Sequence, residues 1–176
     1  MIYFSNPYNS SGNIGIAYNH YASLAPNDND WLCFTDGDTM FPYPDFGSIL
    51  EEIIEANPEY SFFTCLTNRV GDKRQCYKGT ISNTRCLSDL YRTAQIVKRA
   101  GTHVETIKAP ISGHLMLFKK SLWNEVKFQE KGILAVDNQF SNDVANIGYE
   151  IGLMKGFFLI HYYRLREGIH YKTHLL

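Results

Sequence analysis

Two carboxylates separated by one glycine are the residues of this sequence best placed to do chemistry. Asp36-Gly37-Asp38 directly follows Trp31–Thr35, an apolar run typical of a strand that is buried on both faces. In open α/β sheets, ligands bind at the carboxyl ends of the strands. Carboxylates this close repel each other unless a cation neutralises them, and such hard oxygen ligands favour Mg²⁺ or Mn²⁺, which also bind substrate phosphates. The tripeptide therefore predicts a divalent metal site, with an ordinary Asp-Gly-Asp turn as the alternative.

The elements that must position this tripeptide alternate between strand and helix. This order favours an α/β fold with a mixed, mostly parallel sheet flanked by helices. The predicted strands are Ile2–Ser5, Trp31–Thr35, Tyr60–Leu66, Val104–Ile107, His114–Lys119 and Phe157–Tyr162. The predicted helices are Ile14–Leu24 with Asn13 as its N-cap, one from Pro44 to Asn57, Thr84–Ala100, one from Ser121 and one within residues 137–155. No helix separates the fourth and fifth strands, so we expect those two to form an antiparallel pair.

The composition describes one folded domain and excludes several classes of protein. The chain has 176 residues, which suits a single domain over residues 1–162 followed by a tail at 163–176. Its 17 Lys and Arg residues nearly balance its 18 Asp and Glu residues, which excludes the broad basic surface of many nucleic-acid-binding proteins. No apolar run approaches the roughly 18 residues that an integral membrane segment needs. We expect no signal peptide and, without a C-x-x-C pair, a reduced and cytoplasmic protein.

The segments NIGIAYN (13–19) and WLCFTDGD (31–38) together resemble the core of family 2 glycosyltransferases with the A-type nucleotide-diphospho-sugar transferase fold. Asn13–Asn19 (NIGIAYN) is similar to the family's N-x-G-x-A-x-N segment, which opens a helix. Trp31–Asp38 (WLCFTDGD) is similar to the hydrophobic strand that ends in the family's metal-binding D-x-D. Three later segments resemble, in order, a glycine-led strand below the acceptor site (112–119), the segment that presents the catalytic carboxylate (132–140) and the closing strand (161–164). The matches cover most of the chain.

The resemblance implies a metal-dependent glycosyltransferase. It would move a sugar from a nucleoside diphosphate donor to a hydroxyl acceptor, with inversion at the anomeric carbon. A UDP-sugar is the first choice of donor. Asp36 and Asp38 would hold Mn²⁺ or Mg²⁺ together with His161, and the metal would act as Lewis acid on the departing diphosphate. Asp137 would be the general base for the acceptor hydroxyl. Two structural alternatives stay open, namely Asp137 as a helix N-cap and His161 as a structural histidine at a strand end.

The resemblance also implies residues around the donor and the acceptor. Those implied for the donor are Asn6, Pro7, Tyr8, Asn13, Asn19, Asp36, Gly37 and Arg164, and those on the acceptor side are Gly113 and His114. Family members usually carry a whole strand–helix–strand unit before the N-x-G helix, whereas only residues 1–12 precede it here. The long polar loop at 67–83 could shape the acceptor site or close over the donor. The tail could close over the site too, and it offers His170 and His174 as competing metal ligands.

Other readings fit parts of the sequence. A non-catalytic module could bind nucleotide-sugars or glycans with the same residues, and a homo-oligomer could complete the site of so short a chain. A phosphatase of the haloacid dehalogenase type also places D-x-D after a hydrophobic strand. Its pattern has Thr or Val two residues after the second Asp, where this chain has Met40. Mutation of Asp137 separates an enzyme, which loses turnover and keeps nucleotide binding, from a binding module, which has no turnover to lose.

Overall fold

The computed structural model describes residues 1–130, 132 and 134–162. The strands are β1 (Ile2–Ser5), β2 (Trp31–Thr35), β3 (Thr39–Met40), β4 (Phe62–Thr67), β5 (Val104–Ile107), β6 (Leu115–Lys119) and β7 (Ile151–His161). The helices are α1 (Ile14–Ser23), α2 (Phe46–Ala56), α3 (Leu87–Lys98), α4 (Lys120–Glu125) and α5 (Val136–Asn146). In the part of the chain that the structure describes, no helix combines the length and the apolar character needed to cross a membrane.

The strands form an open, mixed sheet in the order β1-β2-β6-β4-β7-β3, and β5 pairs with β7. β1 and β2 are parallel, whereas β6 is antiparallel to both β2 and β4, and β3 is antiparallel to β7. Because β6 opposes both of its neighbours, β2 and β4 run in the same direction. The predicted α/β fold with a mixed sheet flanked by helices is confirmed. The expectation that this sheet is mostly parallel is wrong, because β6 is antiparallel to both of its neighbours and β3 is antiparallel to β7.

The predicted antiparallel pair between residues 104–107 and 114–119 is wrong. β6 instead lies between β2 and β4, and β5 pairs with β7. Leu115–Phe118 is buried throughout, which is typical of a central strand that is covered on both faces of the sheet. β5 exposes Glu105 and Thr106, which suits a strand that is covered on fewer sides. The difference in burial between β5 and β6 therefore explains their positions in the sheet better than their closeness along the chain.

The starts of the first two helices give one success and one error. Asn13 caps α1 as predicted, because its side-chain oxygen accepts a hydrogen bond from the Ile16 N–H at 3.3 Å. α2 begins at Phe46 and not at Pro44, and Asp45 precedes it. Pro44 thus lies before the helix and does not occupy the tolerated first helical position that we predicted.

The last strand is longer than predicted. β7 begins at Ile151, well before the expected start at Phe157. Gly156 directly precedes the predicted strand, but it lies inside β7, where a Cβ atom would overlap the backbone carbonyl of Gly101. A glycine within a strand often marks such a close approach of another backbone. β7 therefore runs without interruption to His161.

The chain divides into two compact units. The first comprises Met1–Gly37, Pro58–Thr64 and Thr106–Gly152, and the second comprises Asp38–Asn57, Cys65–Glu105 and the chain from Leu153 onward. The first unit has an aromatic core whose members are Phe34, Phe62, Phe118, Phe128 and Phe140. The rings of Phe128 and Phe140 are stacked, with centroids 3.9 Å apart and an interplanar angle of 20°.

The second unit has a smaller core around Tyr43. The Tyr43 ring meets the ring of Phe157 edge-on at 5.6 Å, and its hydroxyl donates a hydrogen bond to the Ala94 carbonyl at 2.8 Å. Leu50 and Ile53 of α2 are fully buried. This core holds α2, α3 and β7, and β7 ends at the histidine predicted to bind metal.

Candidate metal centre

Asp36 lies directly beyond the buried end of β2, and its position is fixed by main-chain and side-chain hydrogen bonds. The Asp36 N–H donates to the His114 carbonyl at 3.3 Å, which extends the pairing of β2 with the chain before β6. On the other side, the Asn6 amide donates to the Thr35 hydroxyl at 2.7 Å and to the Thr35 carbonyl at 3.0 Å. Asn6, implied for the donor, therefore fastens the backbone next to the carboxylate.

Asp38 and His161 form the centre of the candidate site. The Nε2 atom of His161 lies 3.2 Å from Oδ1 of Asp38. The strands hold this pair, because Thr39 lies opposite His161 in the β3–β7 pair and the Tyr162 N–H donates to the Asp38 carbonyl at 2.9 Å. His161 is 1% exposed, whereas the side chain of Asp38 keeps 48% exposure. A buried imidazole therefore faces a carboxylate that solvent and ligands can reach.

The carboxylate of Asp36 completes a group of three ligands. One ligand atom from each of Asp36, Asp38 and His161 lies within 4.8 Å of the others. Donors on opposite sides of an octahedral Mg²⁺ or Mn²⁺ ion are about 4.2 Å apart, from metal–oxygen distances of about 2.1 Å, so this set fits one ion after a small contraction. Two carboxylates suit either ion, and the imidazole favours a transition metal such as Mn²⁺. The predicted group of Asp36, Asp38 and His161 is thus assembled, as a possible divalent metal site.

Gly37 leaves the approach to this group open. A Cβ atom at this position would meet no other atom within 4 Å. The packing around Gly37 therefore does not require a glycine at this position.

The sequence did not single out Asn68 as the residue that holds His161 in place. Its buried side chain accepts a hydrogen bond from the His161 N–H at 2.7 Å and donates one to the His161 carbonyl at 2.9 Å. Asn68 directly follows β4, so its place at a strand end was a usable signal, but its partner lies 93 residues away. We had assigned Asn68 only to the polar loop.

Asp137 lies in the first turn of α5 and is held by Gly113. The helix N-cap is Ala135, in a left-handed conformation with φ 65°, so the interpretation of Asp137 as N-cap is wrong. The Gly113 N–H donates to Oδ2 of Asp137 at 2.6 Å, and a Cβ atom on Gly113 would lie 2.6 Å from Cβ of Asp137. Burial raises the pKa of Asp137, and the backbone N–H groups of Gly113 and Asn138 oppose this shift. The result is a desolvated, oriented carboxyl group.

Tyr18 on α1 links the two acidic positions of the first unit, and we had not predicted a role for it. Burial is the main cause that raises the pKa of its phenol, and the negative charges of Asp36 and Asp137 raise it further. Tyr18 therefore lies within electrostatic reach of both carboxylates. It belongs to the Asn13–Asn19 segment, but only the asparagines of that segment carried a prediction.

Two of the three asparagines implied for the donor, Asn13 and Asn19, bind to the chain that packs against α1. Asn13 donates from its amide to the Glu130 carbonyl at 3.0 Å in addition to capping the helix. Asn19 donates to the Phe128 carbonyl at 2.8 Å and accepts from Trp123 Nε1 and from the Phe128 N–H, both at 3.0 Å. Both amides thus tie α1 to residues 128–130. Between them, Gly15 permits close packing, because a Cβ atom there would overlap the carbonyl oxygen of Gln129.

The remaining candidates are more scattered. Tyr8 is 77% exposed and Pro7 is partly buried, so the segment after β1 carries a solvent-exposed aromatic ring. His114 is 1% exposed, next to Gly113. Arg164, His170, His174 and the rest of the tail lie outside the described residues, as does Ile133 within the segment 132–140.

Comparison with known proteins adds no family to this geometry. The sequence matches no protein-family model, and it matches no curated protein sequence.

Proposed function

We propose that the chain is a metal-dependent glycosyltransferase that takes its sugar from a nucleoside diphosphate donor. The observation that carries the proposal is the grouping of Asp36, Asp38 and His161 at the end of a buried strand, with their ligand atoms within 4.8 Å. A sugar–diphosphate bond breaks only if the charge that develops on the diphosphate is stabilised. Mn²⁺ or Mg²⁺ bound to these three residues supplies that stabilisation as a Lewis acid.

The chain's own residues position the donor in this proposal. Asp38 offers an exposed carboxylate to the cation, while Asn68 fixes the backbone of His161. Gly37 lets the diphosphate approach the backbone, since no atom lies within 4 Å of the place where a Cβ would stand. UDP is the first choice of nucleotide, by the resemblance described above, and Tyr8 is the aromatic residue available to stack on its base.

Asp137 is the proposed general base. The acceptor hydroxyl oxygen forms a bond to the anomeric carbon, its proton goes to Asp137, and the bond from that carbon to the diphosphate oxygen breaks with its electron pair. This single displacement inverts the anomeric centre. A desolvated carboxylate with a raised pKa takes a proton more readily than an ordinary one, and Gly113 fixes its orientation. The negative charges of Asp36 and Asp137 both raise the pKa of Tyr18, after burial, so this phenol lies within electrostatic reach of both carboxylates.

Thermal unfolding and turnover together test this function. UDP, GDP and their sugar conjugates are added with and without Mn²⁺ to the wild type, Asp38→Asn, Asp137→Asn and the control Asp143→Asn, which removes a carboxylate from the same helix as Asp137. A ligand at 100 times its dissociation constant stabilises by about 2.7 kcal/mol, an easily measured shift. We expect stabilisation that needs both nucleotide and Mn²⁺, that is absent in Asp38→Asn and that persists in Asp137→Asn and Asp143→Asn.

Release of nucleoside diphosphate then distinguishes an enzyme from a binding module. We expect turnover of a nucleotide-sugar by the wild type and by Asp143→Asn, and its loss in Asp137→Asn. Stabilisation without turnover in the wild type would favour a non-catalytic nucleotide-sugar-binding module. No stabilisation by any nucleotide with Mn²⁺ would contradict the proposal as a whole.

A further inference from the structure

A cavity in the second unit lies apart from the metal centre. It has a volume of about 520 Å³ and is lined by α3, by the loop after β4 and by β7. Small-molecule sites typically have roughly 300–1,000 Å³. Lys155, which lines the cavity, precedes His161 by six residues on β7, and at about 3.3 Å per residue the two are about 20 Å apart. The proposed glycosyltransferase chemistry makes no use of this cavity.

The floor of the cavity is apolar. Leu66, Cys76 and Val97 line it with exposures of 5%, 1% and 2%. Tyr77 and Ile96 also line it, and Ile96 keeps 43% exposure on the surface of α3. A ligand that fills this cavity therefore covers apolar surface, which favours an apolar or aromatic body.

Four basic side chains line the cavity. They are Arg74, Lys78, His103 and Lys155, and no carboxylate belongs to the lining among the residues that the structure describes. Carboxylates outside the lining hold three of them, since Glu105 lies 3.0 Å from Lys155 and 3.4 Å from His103, and Asp72 lies 2.6 Å from Arg74. These contacts hold the three basic side chains in place without occupying the cavity.

Lys78 differs from the other basic groups in its backbone and in its partners. It adopts a left-handed conformation with φ 56° and ψ 23°, which is uncommon for a residue other than glycine, and Gly79 follows with φ 67°. The turn is closed by the Gly79 N–H, which donates to the Cys76 carbonyl at 2.9 Å. The Lys78 ammonium lies 5.3 Å from the centre of the Tyr77 ring, and within the described ranges no carboxylate forms an ion pair with it. Residues held in such conformations cluster at ligand-binding sites.

We propose that this cavity binds a phosphate monoester with an apolar or aromatic body. The phosphate, with its two negative charges, is met by the ammonium of Lys78 and by the fixed cations of Arg74 and Lys155. The body lies on the floor formed by Leu66 and Val97. The site is independent of the metal centre, so it stands or fails separately from the proposed glycosyltransferase.

Nuclear magnetic resonance with phenyl phosphate tests this site on the full chain. The titration is run with a chelator present, so that no metal-dependent binding contributes. We expect shifts of the backbone amide signals of Tyr77, Gly79 and His103, and weaker binding of inorganic phosphate and of phenol alone. Lys78→Gln is compared with Lys73→Gln, which removes the same charge from the same loop but from a residue that does not line the cavity.

The comparison of the two variants decides the outcome. Loss of one charge-assisted contact of about 1.4 kcal/mol corresponds to a tenfold loss of affinity, so we expect Lys78→Gln to bind phenyl phosphate roughly tenfold more weakly than Lys73→Gln. Equal affinity of the two variants would overturn the proposal. So would phenol binding as tightly as phenyl phosphate, or signal changes confined to residues outside the cavity.

Discussion

At the scale of single residues, the two candidate acidic groups differ in their solvation. Asp38 presents a carboxylate that is 48% exposed, beside an imidazole that is almost completely buried. Asp137 is desolvated and bound by the Gly113 N–H. Exposure leaves the first group accessible to a hydrated cation, and desolvation makes the second a stronger base. The proposed division between metal ligand and general base therefore follows from environment, since both groups are aspartates.

Asp137→Asn is expected to stabilise the protein at neutral pH while it strongly lowers turnover. Burial raises the pKa of Asp137 in the folded chain above its value in the unfolded chain. The contribution of Asp137 to the free energy of unfolding is therefore fully favourable below its unfolded pKa of about 3.9. That contribution is lost as the pH rises through its folded pKa. Asparagine carries no charge and still accepts the Gly113 hydrogen bond. Turnover should fall by about 10²–10⁴-fold, the usual contribution of a general base.

Urea unfolding of wild type and Asp137→Asn at pH values from 3 to 8 measures this effect. The variant's advantage in free energy of unfolding should be largest at the upper end and shrink as the pH falls. Asp143→Asn serves as the control for removing a negative charge from α5. A difference that does not depend on pH would contradict the assignment of a raised pKa to Asp137.

Substitution of Gly37 and of Gly113 by alanine should affect the free energy of unfolding to different extents. Gly37→Ala adds a methyl group where no atom lies within 4 Å, so the free energy of unfolding should change little. Gly113→Ala places Cβ 2.6 Å from Cβ of Asp137, which should cost about 1–3 kcal/mol of stability, as overpacking usually does. If a diphosphate approaches the Gly37 backbone, Gly37→Ala should nevertheless weaken nucleotide binding. Unchanged nucleotide affinity in a stable Gly37→Ala protein would exclude that approach.

At the scale of elements, the site depends on β7 reaching the strand end where Asp38 lies. Thr39 pairs with His161 in the β3–β7 register, and Asn68, just beyond β4, binds both backbone groups of His161. Two strand ends are thereby tied together at the proposed metal ligand His161. A buried amide that satisfies both the N–H and the C=O of one residue holds that residue's backbone in a single orientation.

Asn68→Ala should lower both stability and metal affinity. The buried N–H and C=O of His161 would lose their partners, at a cost of about 1–3 kcal/mol for each unsatisfied group. The backbone that carries the His161 ring would then be held less firmly, which should weaken the proposed metal site. Asn57→Ala is a matched control, because the Asn57 amide also donates to two carbonyls, those of Ile53 and Thr102. Urea unfolding and Mn²⁺ titration should show a loss of stability in both variants and a loss of Mn²⁺ affinity only in Asn68→Ala.

The features predicted from the sequence are those encoded within one short segment. Asp36, Asp38 and His161 each follow an apolar run that predicts a strand, and Asn13 directly precedes α1, so their positions could be inferred locally. The pairing of β6 with β2 and β4 and the contact from Asn68 to His161 join segments far apart in the chain. Such long-range pairing depends on which faces each strand buries against the others, and local propensity does not specify it.

At the scale of the whole molecule, an aromatic core stabilises the unit that carries Asp36 and Asp137. Phe140 of α5 is completely buried, and its ring contacts the rings of Phe62, Phe118 and Phe128. Domains are stable by about 5–15 kcal/mol, so the loss of one such ring removes a large part of the total. This core holds α5 in place, and the first turn of α5 contains Asp137.

Phe140→Ala should cost about 3–5 kcal/mol in free energy of unfolding, through lost burial and the cavity left behind. Ile147→Ala is the control, because Ile147 follows the same helix and is 51% exposed, and it should change stability by less than about 0.5 kcal/mol. Urea unfolding of both variants measures the two values. Similar small losses in both would show that the ring cluster does not form the core of this unit.

Calorimetric titration of Mn²⁺ into the metal-free protein tests the central claim most directly. The account predicts one ion per chain in the wild type, loss of that binding in Asp38→Asn and in His161→Gln, and unchanged binding in Asp89→Asn, which removes an exposed carboxylate from α3. Mn²⁺ binding that is equally tight in all four proteins, or absent in the wild type both with and without UDP, would contradict it.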